Sequence, residues 1–179
     1  MKKAARRILT PWFEVRHSHI HGNGVFAARR IRKGTKVIEY RGERVSHARA
    51  DARYEDKDPA DNHTFLFTVN SKTVIDANVG GNDARYINHG CDPNCESTIL
   101  QGRVFIEAIR TIRPGEELSY DYSIQRDSDD APDVDAVYAC RCGAAKCRGS
   151  MLEPAKKPRQ AAKKARRTAG GAPPRTRGR

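Results

Sequence analysis

The chain has 179 residues and a formal net charge of +12, with 31% charged and 37% hydrophobic residues. This length suits one domain of ordinary size with extensions, and it is enough to bury a single core. No segment approaches the ~18 apolar residues of a membrane span, and the basic N-terminus lacks the apolar stretch of a secretory signal. These features argue against membrane proteins and disulfide-stabilised secreted proteins, so we expect an intracellular protein in a reducing compartment.

The positive charge is concentrated at the C-terminus. Residues 154–179 contain ten Lys or Arg and no acidic or aromatic residue, which leaves only about +2 for residues 1–153. Because such a composition cannot bury apolar surface, we expect a disordered tail that is free to lie on a polyanion such as nucleic acid. A solubilising low-complexity end explains the tail equally well when the tail is considered alone.

The first half of the chain predicts short strands and one helix. Residues 13–16 alternate apolar and polar side chains, and residues 36–40 form a second β-rich run. Ser46 is a suitable N-cap for a short helix reaching residue 56, and its alanines offer little apolar surface to bury. We therefore expect this helix on the surface of the domain.

The middle of the chain predicts two hairpins and a further strand. The four hairpin strands are residues 64–69 with 73–76, and residues 96–100 with 103–109. A last strand over residues 118–122 would place the phenols of Tyr120 and Tyr122 on one face, since side chains repeat every two residues. Many short strands and little helix indicate a mainly β fold.

Five cysteines suggest a metal site. Cys140, Cys142 and Cys147 lie within eight residues, and tetrahedral zinc would need a fourth thiolate from either Cys91 or Cys95. Disulfides are the alternative, but an odd number of cysteines without a secretion signal argues against them. The residues therefore favour a zinc site that fastens the C-terminal segment to the bend around the upstream pair.

Two further segments have the composition of ligand sites. Residues 85–95 combine an amide, an imidazole, a guanidinium and two thiols around a turn at Asp92-Pro93-Asn94. Upstream, Gly22 and Gly24 would let the backbone approach a ligand closely. Each is ambiguous alone, because the first could be an inert polar turn and the second an ordinary hairpin. A Rossmann site is disfavoured because no third glycine opens a helix.

Taken together, the motifs resemble the SET-domain protein lysine methyltransferases. Six segments carry the resemblance, in the family's order: residues 21–24, 39–42, 74–77, 85–91, 115–122 and 140–147. The implied fold is a SET fold of short strands and small sheets with few short helices and a knot-like crossing that brings residues 88–89 beside residues 120–122. The implied organisation is a basic N-terminal extension (1–11), a SET domain (12–124), an acidic linker (125–137), a zinc-binding post-SET segment (138–153) and a disordered basic tail (154–179).

The resemblance also implies two bound groups, S-adenosylmethionine and a structural zinc. The residues expected to contact S-adenosylmethionine are His21, Gly22, Asn23, Gly24, Phe65, Arg85, Asn88, His89 and Arg141. Many relatives have a tyrosine where Phe65 stands. The family's upstream metal ligand corresponds to Cys91 rather than Cys95, so the implied zinc ligands are Cys91, Cys140, Cys142 and Cys147.

Three tyrosines are the implied catalytic residues. Tyr122 would orient the lysine amine and the departing methyl group, and Tyr40 would form a second wall of the lysine channel. Tyr120 occupies the position that distinguishes products in this family, which implies mono- or dimethylation. Outside this ordered set of motifs, the same residues would be interpreted as ordinary core tyrosines.

The expected partner is a basic, histone-like protein. The acidic residues between Asp127 and Asp135 would steer lysine- and arginine-rich peptides, unless they form only a solvated loop. The basic tail, residues 154–179, resembles such a substrate, so we hypothesise that it contacts nucleic acid and is itself methylated. We expect a monomer with no membrane contact.

The host and two rival classes stay open at this point. The enzyme would act in the cytoplasm or nucleoid of a bacterium, in the nucleus or on the chromosome of a eukaryote, or as a secreted effector. The rivals are a catalytically inactive SET-like chromatin or DNA-binding protein and a small zinc-organised nucleic-acid binder. The second rival leaves Tyr120, Tyr122 and Asn88 unexplained.

Overall fold

A computed structural model describes residues 11–56, 64–126 and 131–154 of the chain. The strands in these ranges are β1 (Phe13–His17), β2 (Asn23–Ala27), β3 (Lys36–Tyr40), β4 (Glu43–Val45), β5 (Leu66–Asn70), β6 (Thr73–Asp76), β7 (Asn88–His89), β8 (Cys95–Leu100), β9 (Arg103–Ala108) and β10 (Ser119–Tyr120). The helices are α1 (His47–Tyr54), α2 (Val134–Val137) and a 3-10 turn at Asp83–Tyr86. The mainly β prediction is confirmed.

The strands form four small sheets. β1 pairs with β2, β3 and β8 flank β9, β4 and β5 flank β6, and β7 pairs with β10. The last pair is parallel, whereas the other pairs are antiparallel. Both hairpins predicted from the sequence are confirmed, as β5–β6 and β8–β9.

The β8–β9 hairpin shows why a local sequence pattern was enough to predict it. Gln101 and Gly102 both adopt positive φ, 50° and 74°, as a tight two-residue hairpin turn requires. After the turn, Val104, Ile106 and Ala108 are buried while the residues between them are more exposed, which is the alternation of a strand with one face on a core. The turn residues and the alternation of buried side chains therefore both predict the observed hairpin.

The main core lies between β2, the β3–β9–β8 sheet and the segment before β10. Its fully buried members include Val25, Ile31, Ile106, Ile112 and Leu118. An isolated bridge between Ile31 and Ile112 closes the chain around this core. The core therefore fixes the positions of β2 and β10 next to β7, and these strands carry residues of the candidate site.

Helix α1 confirms the predicted N-cap, since the Ser46 hydroxyl accepts a hydrogen bond from the Arg49 N–H at 3.3 Å. The helix ends at Tyr54 rather than near residue 56. Its last turn is fastened to β6, because Arg53 and Tyr54 both donate to the fully buried carboxylate of Asp76. A buried carboxylate needs such donors to offset its desolvation.

One predicted strand was too long. Residues 118–122 were expected to be extended throughout, but β10 comprises only Ser119 and Tyr120. Its partner β7 is also only two residues long, so β7 offers Tyr122 no residue for continued strand pairing.

No helix in the described ranges has the length and apolar composition needed to cross a membrane. Residues 1–10, 57–63, 127–130 and 155–179 lie outside the described residues. The expectations about the disorder, nucleic-acid contact and methylation of the basic tail therefore concern residues almost all of which are outside this description.

Candidate functional site

The parallel pairing of β7 with β10 organises the candidate site. Asn88 is in register with Ser119, and His89 with Tyr120. Gly90 N–H donates to the Tyr120 carbonyl at 3.1 Å, and the backbone N–H of Tyr122 donates to Nδ1 of His89 at 3.2 Å. The sequence motifs that contain the amide, the imidazole and the phenols are thus brought side by side, as the resemblance implied.

A cavity of about 630 Å³ opens beside this pairing. Eight of the nine residues expected to contact the cofactor line it, together with Tyr122: His21, Gly22, Asn23, Phe65, Arg85, Asn88, His89 and Arg141. The other lining residues were not predicted to contact the cofactor, and they are Ile20, Tyr86, Ala136, Val137, Ala139, Cys140 and Met151. The volume is within the usual range for small-molecule sites.

Gly24 is the exception, because the structure does not place it in the cavity lining. It is buried in β2, where a Cβ atom would collide with the side chains of Glu117 and Ser18. This position therefore needs glycine so that a carboxylate can approach the strand closely. The two glycines of the motif have different surroundings, since Gly22 does line the cavity.

Asn88 is fixed because the two hydrogens of its amide nitrogen are shared among three acceptors. Nδ2 donates to the carbonyls of His21 at 3.3 Å and Asn23 at 3.0 Å, and to the Glu117 carboxylate at 2.9 Å. These bonds tie the β1–β2 turn to β7. The backbone of that turn and the crossing therefore form one continuous wall of the cavity, which we name the core wall (residues 20–23, 85–89 and Tyr122).

His89 is arranged as a neutral imidazole. Burial lowers its pKa, while the nearby Asp121 carboxylate, 3.6 Å from Nδ1, acts in the opposite direction. Because Nδ1 accepts the Tyr122 N–H, the hydrogen-bond pattern assigns the remaining proton to Nε2, which lies 3.4 Å from Sγ of Cys91. His89 thus links the tyrosine segment to the cysteines.

The three tyrosines implied as catalytic lie in one row of aromatic rings. Ring centroids are 5.3 Å apart between Tyr40 and Phe67, 6.5 Å between Phe67 and Tyr120, and 4.9 Å between Tyr120 and Tyr122. Only Tyr122 of the three lines the 630 Å³ cavity; Tyr40 borders a second, more open cavity of about 470 Å³. The structure therefore groups the phenols but gives them different exposure to the main cavity.

These phenols stay protonated at ordinary pH. Burial raises the pKa of Tyr40, Tyr120 and Tyr122 above the usual value for tyrosine. The hydroxyl of Tyr122 donates to the Ile87 carbonyl at 2.9 Å, and that of Tyr40 donates to the Phe65 carbonyl at 3.0 Å. Groups in this state can orient a ligand through hydrogen bonds, and they are poor bases.

Arg85 reaches the cavity with two hydrogen bonds directed to protein, while its buried Nε has no hydrogen-bond partner among the described residues. Its guanidinium donates to the Ala77 carbonyl at 3.0 Å and to the Tyr86 hydroxyl at 2.7 Å. It also lies 4.8 Å from the Tyr86 ring centroid, and the Phe65 and Tyr86 rings meet edge to face. These three side chains form an aromatic and cationic flank of the cavity.

Four thiols converge at one side of the cavity. The sulfurs of Cys91, Cys140, Cys142 and Cys147 all lie within 4.8 Å of one another, with Cys91 at 3.7 Å from Cys140 and 3.9 Å from Cys147. In a tetrahedron with zinc–sulfur distances of about 2.3 Å, neighbouring sulfurs are about 3.8 Å apart. The donor set and its spacing therefore fit a tetrahedral metal ion.

The structure also separates the two upstream cysteines. Cys95 is fully buried at the start of β8, outside the thiol group, and burial raises its pKa to about 12. Burial acts to raise the pKa of Cys142 too, but hydrogen bonds from the backbone of Cys91 and Ala144 and from the neighbouring thiols outweigh it, giving a pKa of about 7. Burial instead raises the pKa of Cys91 and of Cys140, so Cys142 is the thiol of this group that ionises most readily.

The segment after α2 forms the opposite side of the cavity, which we name the C-terminal wall (residues 136–151). It is attached to the domain by the ladder bridge Ile124–Leu152 and by Glu153 N–H donating to the Ile124 carbonyl. Arg148 adds a bidentate ion pair to Asp121, with distances of 2.6 and 2.8 Å. Asp121 lies between the two site tyrosines, so this pair connects the cysteine segment to them.

Several positioning groups had no signal in the sequence. The Asn94 amide donates to the Glu117 carbonyl at 2.7 Å and accepts the Ser119 N–H at 3.0 Å, which fixes the backbone before the site tyrosines. Asn94 was recognised only as a turn residue. Glu117 and Asp121 lie within the recognised segment 115–122, and Arg148 directly follows the segment 140–147, but no role was predicted for them because their partners lie far away along the chain.

Comparison with known proteins agrees with this geometry. The family model described as the SET domain matches residues 22–123. Histone-lysine N-methyltransferase trithorax of Drosophila virilis is 38% identical over 135 residues, covering 73% of this chain and 3% of that protein. The H3 lysine-4 specific histone-lysine N-methyltransferase of Saccharomyces cerevisiae is 40% identical over 141 residues, covering 75% of this chain and 12% of that protein.

A solved structure gives the same result at the level of fold. A chain in the crystal structure of an active polycomb repressive complex 2 in the stimulated state superimposes with a TM-score of 0.56 and 36% identity, over 60% of this chain and 14% of that chain. This chain thus spans only a small part of the relatives it matches. Since the family model covers more than half of its residues, the chain belongs to the SET-domain family.

Proposed function

We propose that the protein is a lysine methyltransferase that transfers a methyl group from S-adenosylmethionine to the side-chain amine of lysine in a basic, histone-like protein. One observation carries the proposal: the β7–β10 crossing places Asn88, His89 and Tyr122 together in the wall of a ligand-sized cavity. The relatives named above are histone-lysine N-methyltransferases, which supports the same reaction class.

The eight expected residues that line the cavity would hold S-adenosylmethionine, which supplies an electrophilic methyl group on a sulfonium. The carbonyl-rich turn at residues 21–23 and the amide of Asn88 suit its polar amino-acid part, and Arg141 with the apolar C-terminal wall suits its adenosine part. Much of this lining is preformed, because hydrogen bonds within the core wall already fix it.

Tyr122 would position the reacting amine. Methyl transfer forms a carbon–nitrogen bond as the carbon–sulfur bond breaks, and the amine must be neutral to attack. Free lysine has a pKa near 10.4, and water-poor aromatic surroundings lower it. The Tyr122 hydroxyl donates its hydrogen to the Ile87 carbonyl, so its oxygen can accept a hydrogen bond from the neutral amine. The role proposed for Tyr122 is therefore to position the amine, and not to remove a proton from it.

Zinc would occupy the four-thiol group. Because all four positions are filled by protein ligands, such an ion has no open site for catalysis and acts structurally. Its contribution would be to hold the C-terminal wall against the core wall, so that Arg141 and Met151 face the same cavity as Asn88.

The degree of methylation is proposed from Tyr120. This phenol packs 4.9 Å from the Tyr122 ring and is almost fully buried, so it limits the room around the amine. We expect mono- or dimethylation by the wild-type protein, and a Tyr120→Phe variant should add further methyl groups. A Tyr120→Phe enzyme whose product distribution equals that of wild type would contradict this assignment.

The proposed substrate is a histone or histone-like protein, which places the enzyme at chromatin. Of the acidic residues expected to steer such a substrate, Asp133 and Asp135 are exposed, and Asp135 pairs with Arg126 at 2.5 Å. Removing residues 154–179 should weaken DNA binding and reduce its salt dependence if the tail contacts nucleic acid. Binding that is unchanged by this deletion would contradict the tail contact.

The deciding experiment is intact and peptide-level mass spectrometry after incubation with S-adenosylmethionine and a mixed histone preparation. We expect mass increments of one or two methyl groups on lysine, and a loss of rate of about 100-fold or more in Tyr122→Phe. Tyr138→Phe is the matched control, because its phenol does not line the cavity. Cofactor binding without any methylation would instead support an inactive SET-like chromatin protein.

A further inference from the structure

Glu117 does not line the cavity, yet it contacts three parts of the structure that shape it. Its carboxylate accepts the Ser18 hydroxyl at 2.7 and 2.9 Å and the Asn88 amide at 2.9 Å. It also lies against Gly24, where any Cβ atom would collide with it. The glycine, the serine and the asparagine therefore all accommodate this one carboxylate.

The carboxylate decides which way the Asn88 amide faces. Three acceptors surround one end of that amide: the His21 and Asn23 carbonyls and the Glu117 carboxylate. An amide oxygen placed there would face three other oxygens without a hydrogen to share. The nitrogen must therefore occupy this end, and the network assigns the orientation.

The same network leaves the amide oxygen of Asn88 available to a ligand. No donor within the described residues bonds to Oδ1, while Asn88 lines the cavity. An oxygen fixed in this way accepts a hydrogen bond from a cationic nitrogen without paying for reorientation on binding. The amino-acid part of S-adenosylmethionine carries such a cation, its ammonium group.

Glu117 is itself held rigidly. It forms an isolated antiparallel bridge with Phe26, and the next residue, Leu118, donates to the Val25 carbonyl at 2.8 Å. The Glu117 carbonyl accepts the Asn94 amide at 2.7 Å. The position of the carboxylate is thus fixed by β2 and by the turn after β7. Its hydrogen bond to Asn88 therefore depends on how these two segments are placed relative to each other.

We propose that Glu117 is a positioning residue that orients the Asn88 amide so that its oxygen receives the ammonium of S-adenosylmethionine. This inference rests on the proposed function. It predicts a selective defect: loss of Glu117 should impair ligands that carry the ammonium and spare ligands that lack it.

The test compares binding of S-adenosylmethionine and of 5′-methylthioadenosine, which lacks the amino-acid part, by isothermal titration calorimetry. Glu117→Ala should weaken binding of S-adenosylmethionine about tenfold and leave 5′-methylthioadenosine within about twofold of wild type. Glu116→Ala is the matched control, since Glu116 pairs with Arg110 outside the cavity, and it should leave both affinities unchanged.

Two further variants separate positioning from other roles. Glu117→Gln retains an oxygen that can accept from Asn88, so it should recover part of the affinity lost in Glu117→Ala. In an Asn88→Ala background, Glu117→Ala should have little additional effect on S-adenosylmethionine affinity, because the residue acts through Asn88. Fully additive losses would show instead that the carboxylate attracts the ligand directly, and would overturn the proposal.

Other outcomes are equally decisive. Equal weakening of both ligands would indicate a purely structural role, and unchanged affinities would show that Glu117 is dispensable. If Glu117→Ala does not fold, the ratio of the two affinities in Glu117→Gln decides, because an unchanged ratio rejects the selective defect. Wild-type protein that binds neither ligand would reject the proposed function itself, and with it this inference.

Discussion

The two walls of the cavity are held in place by different forces. In the core wall and directly behind it, Ile87, Val25 and Leu118 are at most 1% exposed, and both side-chain amide hydrogens of Asn88 are used. Between residues 131 and 154, by contrast, Ser150 and Leu152 are the only buried residues, and α2 buries none of its four. One wall is part of a hydrophobic core, and the other is attached to it.

This difference explains why four thiols and an ion pair lie where they do. A segment that buries so little apolar surface cannot offset the conformational entropy that it loses on becoming ordered. It therefore needs a metal or charged contacts to remain in one position. The thiol group includes Cys91 from the core side and three cysteines from the C-terminal side. The contrast predicts that the walls can be perturbed separately.

Metal removal should have the largest effect. With a strong chelator, or in Cys142→Ser, we expect the metal content to fall from one ion to near zero and methyl transfer to fall by about 100-fold or more, because structural zinc sites contribute to folding directly. Thermal unfolding of the strand core, followed by circular dichroism, should change much less. Cys95→Ala is the matched control and should keep its metal, since Cys95 lies outside the thiol group. Full activity in metal-free protein would contradict the attached-wall interpretation.

A core truncation should produce the reverse pattern. Ile106 is fully buried in β9, and Ile106→Ala should lower the free energy of unfolding by about 3 kcal/mol through lost burial and the remaining cavity. Below its unfolding transition this variant should retain its metal. Ile99→Ala, in the neighbouring strand and 51% exposed, should change the free energy by about 0.5 kcal/mol or less in urea unfolding. Similar values for the two variants would show that this sheet does not form the core described.

Breaking the ion pair between the walls should have an intermediate effect. Arg148 follows the last thiol ligand, and its partner Asp121 lies between Tyr120 and Tyr122. Lysine cannot reproduce the bidentate pair, so Arg148→Lys should reduce turnover about tenfold while metal content stays at one ion. Asp121→Asn should give a similar loss in the same steady-state assay. Arg110→Lys, which alters an exposed ion pair outside the cavity lining, is the control and should change turnover very little.

The same contrast separates what could be predicted from the sequence from what could not. The β5–β6 and β8–β9 hairpins were predictable because alternation and turn chemistry are local, and the Ser46 cap was predictable for the same reason. The parallel β7–β10 pairing leaves no periodic signal in two-residue strands, so only the ordered resemblance to a family indicated it. The partners of Glu117 and Arg148 depend on that pairing, and they were missed.

The smallest effect is expected at the rim of the strand core, at Glu39 in β3. Its carboxylate accepts from Arg103 at 2.6 and 2.8 Å and from Arg41 at 2.9 Å. The Arg103 hydrogen bonds lower its pKa from 4.5 to about 2, against an opposing contribution from burial and with further help from Arg41. Because the folded-state pKa is depressed, ionised Glu39 stabilises the protein above pH 4.5, and this contribution disappears as the pH falls towards 2.

Glu39→Gln should therefore destabilise the protein by about 1 kcal/mol or less at pH 7, and the difference from wild type should shrink below pH ~4.5. Urea unfolding of both proteins across this pH range measures the difference, with Glu14→Gln at an exposed position as the control. A deficit at pH 7 as large as that of Ile106→Ala would mean that charge, and not burial, holds the strand core. The two walls of the cavity would then differ in degree and not in kind.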